Sequence, residues 1–334
     1  MVGVGKTSNR SKGAGQLMIA TVLIALAAGC ASALMFASII SGALISLLLF
    51  YLAPLPLMVA ALGWGPLSAT IGGIAAATVL GAIFGLPYCI AFAVAIALPA
   101  WWLGHLALLG RPLAAGTAPP NDAAALEWYP VGRILLWIAI FATITTAATL
   151  LTLGSDGPTI RSTMRASLAH ILESAEVAPT DRRIDALVII APAAAAIVAM
   201  MTLTLNLWLA AKITATSGRL HRPWPDLKSA ALPPLTLAAL CAAIAFCFSG
   251  GLLAILAQIA SAALLIAYAL TGFAALHTLT LALKNRALWL GCVYAIMAVF
   301  GWPVLAMVAL GLADAVFGLR QRYLRGRPPP LPAS

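Results

Sequence analysis

Long apolar stretches alternate with short polar segments along most of this chain, from Leu17 to Leu319. An apolar helix of about 20 residues, rising about 1.5 Å per residue, crosses a hydrocarbon core of roughly 30 Å. Prolines, glycines and charges are concentrated between the apolar stretches, where helices end. The pattern predicts an all-α, polytopic transmembrane bundle of about eight to ten helices.

The predicted helices form two halves joined by a polar linker. The expected segments are a basic tail at 1–16, a four-helix half at 17–109, a cytoplasmic linker at 110–132, a second half at 133–319 and a basic, proline-rich tail at 320–334. Pro54 and Pro56 are expected to kink or interrupt the second helix. Gly301-Trp302-Pro303 is expected to break the last apolar stretch, Ala287–Leu319, into a hairpin, which favours ten spans over eight.

An amphipathic helix is predicted at 158–178, inside the longest hydrophilic stretch of the chain. Its apolar positions follow helical spacing: Ile160, Met164, Leu168, Ile171, Leu172 and Ala175. Ser155 or Asp156 is expected to cap it, with Pro158 in its first turn. A helix of this kind typically lies flat on a membrane surface, which is the favoured interpretation, and a cover over an outward-facing cavity is the alternative.

Composition and charge agree with a membrane class. Hydrophobic residues make up 63% of the chain and charged residues 8%, so there are too few charges to cover a water-exposed surface. The net charge of +10 comes from residues at the ends of apolar stretches, which indicates membrane topology rather than nucleic-acid binding. The expected partner is the lipid bilayer.

The distribution of lysine and arginine predicts the orientation. Both tails and the loop at 213–231 are basic without balancing acids, whereas in the stretch Gly154–Arg183 acidic residues offset the arginines. Because positive loops stay in the cytoplasm, both termini are expected to be cytoplasmic. The stretch with the amphipathic helix still contains four arginines, so its external placement is expected from the number of helices more than from charge.

Neither catalytic nor metal chemistry is indicated by the motifs. The five cysteines lie inside apolar runs without metal-binding spacing, and their expected role is packing between helices. The signatures HExxH and GxSxG are absent, and no two carboxylates have a spacing suited to acid–base chemistry in the membrane. We therefore expect a protein that is not an enzyme and uses no cofactor or metal.

Small residues recur every fourth position in the third predicted helix. This ridge consists of Gly65, Ala69, Gly73, Ala77, Gly81 and Gly85. Small side chains let helix backbones approach closely in lipid. The ridge is expected to pack against a neighbouring helix of the chain, and the alternative is a membrane protein partner.

Polar residues inside predicted spans are scarce. His105, Asn206, His277 and Asp314 are expected near cytoplasmic helix ends, and no charged residue is expected at mid-membrane, which argues against a carboxylate proton relay or an ion-coupled pump. The candidate substrate-binding residues lie toward the outer side: Gln258, Thr145, Thr149 and Thr152. Threonines usually bond carbonyls of their own helix, and this alternative is favoured for the three threonines.

The closing residues, Leu310–Arg322, carry a G-(L/I)-x-D…R-x-R element that resembles the YybS-like family of uncharacterised bacterial membrane proteins. The segment 210–226 looks like the form common in the alphaproteobacterial branch of that family. Pro54, Pro56 and the Gly63–Gly73 region resemble the first half of S components of energy-coupling-factor vitamin transporters. The resemblance implies a bacterial inner-membrane protein with an S-component-like first half.

Two functions follow as hypotheses. Solute binding or transport in the manner of an S component is the first, and a non-transporting membrane scaffold or accessory protein is the second. In the closing element, Asp314 is expected to have a structural role, by pairing with Arg320 or Arg322 or by capping a neighbouring helix.

Overall fold

The computed structural model describes residues 5–112, 126–174 and 180–325. Parts of four predicted segments lie outside these residues: 1–4 of the N-terminal tail, 113–125 of the linker, 175–178 of the amphipathic helix and 326–334 of the C-terminal tail. The described chain is almost entirely helical, which confirms the all-α bundle.

The helices are numbered in chain order. They are α1 Gly5–Ala37, α2 Leu44–Leu52, α3 Pro54–Trp64, α4 Pro66–Phe84, α5 Leu86–Phe92, α6 Leu98–Leu108, α7 Val131–Leu151, α8 Gly157–Ser174, α9 Asp181–Thr216, α10 Leu235–Phe246, α11 Gly251–Leu279, α12 Arg286–Phe300, α13 Val304–Phe317 and α14 Leu319–Arg325. A π-helical turn, Ala93–Ala97, connects α5 to α6. The strands β1 (Gly110–Pro112) and β2 (Leu126–Trp128) form an antiparallel hairpin.

Seven helical segments in the described residues are long and apolar enough to cross a membrane. They are Met18–Ser41, Leu44–Trp64, Pro66–Phe84, Leu86–Leu108, Val131–Leu151, Asp181–Thr216 and Gly251–Ala282. The bent pair α13 and α14 makes an eighth candidate span if the two helices are counted together. Helices α10 and α12 are apolar but shorter than the candidate spans. The chain is a multi-pass membrane protein.

Both expected breaks in the apolar stretches are present, at Ala53 and between α12 and α13. Two carbonyl groups beside the first break accept hydrogen bonds from side chains of other helices. Ser32 donates its hydroxyl to the Ala53 carbonyl at 2.6 Å, and Asn206 Nδ2 donates to the Tyr51 carbonyl at 2.8 Å. Asn206, expected near water, is therefore 1% exposed and ties α9 to α2.

The chain divides into two compact units. Unit 1 comprises Met1–Tyr129 and Met201–Trp224, and unit 2 comprises Pro130–Met200 and Pro225–Ser334. The division falls inside α9, whose first 20 residues, Asp181 to Met200, belong to unit 2.

In unit 1, α1 and α4 cross at two glycines. A Cβ atom on Gly29 would overlap the Gly72 carbonyl, and one on Gly72 would overlap the Ala25 carbonyl. The two backbones touch because neither glycine has a side chain, and such close contact stabilises helix pairs in lipid through dispersion and packing.

The predicted small-residue ridge on α4 lies inside unit 1. Four of its residues are in tight contact or buried there, namely Ala69, Gly73, Ala77 and Gly81. Gly65 and Gly85 instead have φ angles of 94° and 93° at the two ends of α4, a conformation that favours glycine. These contacts support internal packing rather than a free docking face.

The basic segment after α9 is fastened to unit 1 by its arginines. Arg222 donates to the carbonyls of Ala107 and Tyr129 at 3.2 and 3.0 Å. The Arg219 guanidinium lies 4.5 Å from the centre of the Trp64 ring, a cation–π contact. Burial lowers the pKa of Arg222 from its usual value, but a guanidinium stays charged at neutral pH.

In unit 2, α11 is the central helix. Of its apolar stretch, 61% is buried inside the protein, whereas 44% of the apolar stretch of α7 is buried. It crosses α13 at two glycines, where a Cβ on Gly272 would overlap the Met307 carbonyl and one on Gly311 would overlap the Tyr268 carbonyl. Unit 2 thus has the same kind of glycine–glycine crossing as unit 1. The small-residue ridge predicted on α4 does not predict this second crossing.

Candidate functional site

The amphipathic helix α8 packs its apolar face on protein. The residues it buries there are Ile160 and Met164, in one cluster with Leu150 of α7, Ile184 and Val188 of α9, and Ile255 and Ile259 of α11. Leu168 and Leu172 lie partly buried against the same cluster, whereas Ile171 is exposed. Most of this apolar face is therefore covered by neighbouring helices rather than left free for lipid, and the position of α8 at the membrane surface stays a prediction.

The first turn of α8 is held by Asp156. Its carboxylate accepts from the Thr159 backbone N–H at 2.8 Å and from the Thr159 hydroxyl at 2.9 Å. These hydrogen bonds favour the charged carboxylate and lower the pKa of Asp156 from its usual value. Of the two caps that the sequence allows, the structure uses Asp156.

Ion pairs join α8 to α9. Arg165 on α8 donates to Asp181 at 2.9 Å and also to Asp185, one turn further along α9. The hydrogen bond with Asp181 and the charge of Asp185 raise the pKa of Arg165. Both carboxylates are thereby directed at one guanidinium, which holds α8 over the start of α9.

A cavity of about 660 Å³ lies between α8, α9 and α11. Its apolar wall consists of Met164, Val188, Ile189, Pro192 and Ile255. Its polar residues are Arg161, Ser162, Arg165, Asp185 and Gln258. An apolar wall with a few polar groups, within roughly 300–1,000 Å³, is typical of a small-molecule site.

Gln258 is the one predicted substrate-binding residue that lines this cavity. It is half-buried, and its amide makes no hydrogen bond within the described ranges. The amide can therefore both donate to and accept from a bound molecule.

The three predicted threonines do not line the cavity. Thr145, Thr149 and Thr152 donate to carbonyls three or four residues earlier in α7, at 3.2, 2.9 and 2.6 Å. Their hydroxyl protons are used within the helix, so the alternative favoured for them is the one observed.

Sequence reasoning missed Arg161 and Pro192 as cavity residues. The helical pattern assigns Arg161 to the polar face of α8 but cannot say which helix that face meets. Pro192 lies inside α9 and cannot donate to the Val188 carbonyl one turn earlier. A proline inside a long apolar helix is the sequence signal that could have identified this part of the cavity wall.

The family-motif residues form a separate cluster. Asp314 pairs with Arg320 at 2.7 Å, and the two side chains are 7% and 9% exposed. Arg322 is exposed and makes no ion pair with Asp314. The contact closes the turn between α13 and α14, where Gly318 has a φ of 62°.

Another polar cluster fastens α12 to α11. His277 Nε2 lies 2.7 Å from the Tyr294 hydroxyl, and Arg286 Nη2 lies 3.3 Å from His277 Nδ1. Since a guanidinium only donates, Nδ1 accepts and Nε2 carries the proton toward Tyr294. His277 thus has a partner on each ring nitrogen.

Metal ligands do not converge in the part of the chain that the structure describes, where no three His, Cys, Asp or Glu side chains come together. Comparison of the chain with protein-family models, curated proteins and solved structures finds no match.

Proposed function

We propose that this membrane protein binds a small solute in the cavity between α8, α9 and α11, as the capture step of transport. The mode of action would resemble that of an S component, in which a membrane protein binds the solute before it is moved across the bilayer. This proposal concerns unit 2, where all the lining residues lie.

The observation that carries the proposal is the unpaired amide of Gln258 in a mostly apolar cavity. A half-buried amide at the cavity surface can exchange water for a ligand, and each such hydrogen bond contributes about 0.5–1.5 kcal/mol. A solute that pairs with this amide while covering Ile189 and Ile255 gains both hydrogen bonds and apolar contact.

The position of α8 also supports solute capture. This helix covers the cavity and is joined to α9 through Arg165, and its own first turn is capped by Asp156. These exposed ion pairs contribute about 0–1 kcal/mol, so α8 is held over the cavity mainly by its buried residues Ile160 and Met164.

For the orientation we propose a bacterial inner membrane with both termini in the cytoplasm. The basic tails and the basic segment after α9 support this arrangement, which makes α8 and the cavity external. It requires an even number of crossings, as obtained when α10, α12 and the α13–α14 pair each cross once.

A non-transporting scaffold is the alternative function. In a scaffold the small-residue ridge on α4 would only hold the bundle together, and Ala69 and Ala77 are 1% and 8% exposed inside unit 1. Internal packing of the ridge favours this alternative, because solute capture in the manner of an S component would use the ridge to dock a partner.

Thermal-shift screening of the purified protein against vitamins, nucleobases and metal complexes tests the proposal. We expect a ligand that raises the midpoint of unfolding, and we expect Gln258→Leu to abolish that shift while Thr149→Val leaves it unchanged. Gln321→Leu is the matched control, because Gln321 is exposed on α14. A screen without any ligand, together with a co-purifying membrane protein, would support the scaffold instead.

A further inference from the structure

We infer that the solute bound by this cavity is an organic anion, whose carboxylate or phosphate group is bound by Arg161 and whose apolar body contacts the wall. The inference rests on the proposed function, since it names the class of molecule that the same cavity accepts.

The charges around the cavity single out Arg161. Arg165 donates to both Asp181 and Asp185, so these three groups satisfy one another. Arg161, one turn earlier on α8, lines the cavity and has no carboxylate partner within the described residues. Its side chain is exposed, so its five N–H donors can exchange water for a bound anion.

The opposite wall suits an apolar body with a polar substituent. Ile189 and Ile255 offer apolar surface, and Gln258 offers an amide. Pro192 leaves the Val188 carbonyl without its usual helical donor, and both residues line the cavity. A hydrogen-bond donor on the ligand can therefore bind this carbonyl, while the anionic group binds Arg161.

A cationic ligand fits the cavity less well. Asp185 is the carboxylate that lines it, and this side chain already accepts from Arg165. A cation would have to displace that guanidinium and would also meet the unpaired charge of Arg161. The required anion can come from two sources, a free organic acid or the phosphate group of an anionic lipid.

The test uses the full chain in phosphatidylcholine nanodiscs and four probes with the same six-carbon body: hexanoate, hexyl phosphate, hexanol and hexyltrimethylammonium. Binding is measured by titration calorimetry. We expect both anions to bind more tightly than hexanol and the cation. Arg161→Gln should weaken anion binding about tenfold or more, because a charge-assisted hydrogen bond is lost.

Arg183→Gln is the matched control, because Arg183 is exposed at the start of α9 and does not line the cavity. It removes the same charge and should leave anion binding unchanged. Equal unfolding midpoints of the two variants without probe establish that both fold.

A second arm distinguishes the sources of the anion. The protein is moved to nanodiscs containing phosphatidylglycerol, and retained lipid is measured by native mass spectrometry. Retention that Arg161→Gln abolishes, with hexanoate competing, assigns the site to a lipid phosphate. Unchanged hexanoate affinity without retained lipid assigns it to a free organic acid, and either result supports the inference.

Three outcomes overturn the inference. If hexanol binds as tightly as hexanoate and its binding needs Gln258 but not Arg161, the solute site stands and the anion preference is wrong. If hexanoate loses affinity equally in Arg161→Gln and Arg183→Gln, the effect is a general surface charge and Arg161 is not the binding residue. Absence of binding by every probe and by the solute screen contradicts the proposed function as well.

Discussion

The Asp314 carboxylate accepts from Arg320 twice, from its backbone N–H at 2.9 Å and from Nε at 2.7 Å. The same guanidinium donates through Nη1 to the carbonyls of Lys228 and Ala230, at 2.6 and 2.9 Å. One arginine thus joins the end of α13 to the segment before α10. The pairing satisfies a charge that would otherwise be costly at the end of an apolar helix.

Replacing Asp314 with leucine should destabilise unit 2 strongly. The change leaves Arg320 buried without an anion, which typically costs about 3–5 kcal/mol. Asp314→Asn keeps an oxygen that can accept from Arg320 and should cost less, about 1–3 kcal/mol. Thermal unfolding of the purified variants and their abundance in the membrane measure the difference.

Arg322→Gln is the control for this prediction, because Arg322 is exposed and lies outside the pair. It should leave the unfolding midpoint unchanged. If Asp314→Asn keeps full stability but abolishes solute uptake, the carboxylate is functional and the structural interpretation is wrong.

Gly272→Ala should separate α11 from α13. The added Cβ would overlap the Met307 carbonyl, and a backbone atom cannot move away without shifting the whole helix. Overpacking of this kind typically costs about 1–3 kcal/mol. Gly291→Ala is the matched control, since a Cβ there meets nothing within 4 Å.

In the control, alanine should be neutral or slightly stabilising, by up to about 1 kcal/mol from its higher helix propensity. The comparison is made by unfolding both variants in the same detergent. Equal midpoints for Gly272→Ala and Gly291→Ala would contradict the close crossing at Gly272.

Acidification should weaken the cap of α8. The native pKa of Asp156 lies below its usual value of 3.8, because the charged carboxylate accepts from Thr159. The stability it adds is therefore present above pH 3.8 and lost as the pH falls through the native pKa.

Asp156→Asn isolates this effect, since asparagine also caps helices but does not titrate. The wild type should unfold at a higher temperature than the variant near neutral pH, and this advantage should shrink below pH 3.8. An advantage that stays constant down to about pH 3 would show that the charge of Asp156 contributes nothing.

Reporter fusions test the proposed orientation. Fusions after Arg10 and Ser334 should report the cytoplasm, and a fusion after Glu173 should report the external side, because the basic tails are retained inside. A fusion after Asp226 is a further cytoplasmic marker. A cytoplasmic signal at Glu173, or an external one at Ser334, would overturn the topology.

The sequence alone predicted the class of the fold and many of its local features. Apolar length predicts the spans, Pro54 and Gly301 mark the breaks, and Asp156 was one of two predicted caps for α8. These features depend on hydrophobicity, missing N–H groups and side-chain hydrogen bonds within a few residues of each position. Local causes of this kind can be recognised in a single amino-acid sequence.

Only the tertiary structure decided which surfaces meet. An amphipathic face is satisfied equally by lipid and by the ends of other helices, so the periodicity of α8 could not place Ile160 on α7, α9 and α11. An alanine-rich chain offers many small-residue positions, so the ridge did not predict the crossings at Gly72 and Gly272. Gln258 and Arg161 are 97 positions apart (258 − 161), and packing alone brings them to one cavity.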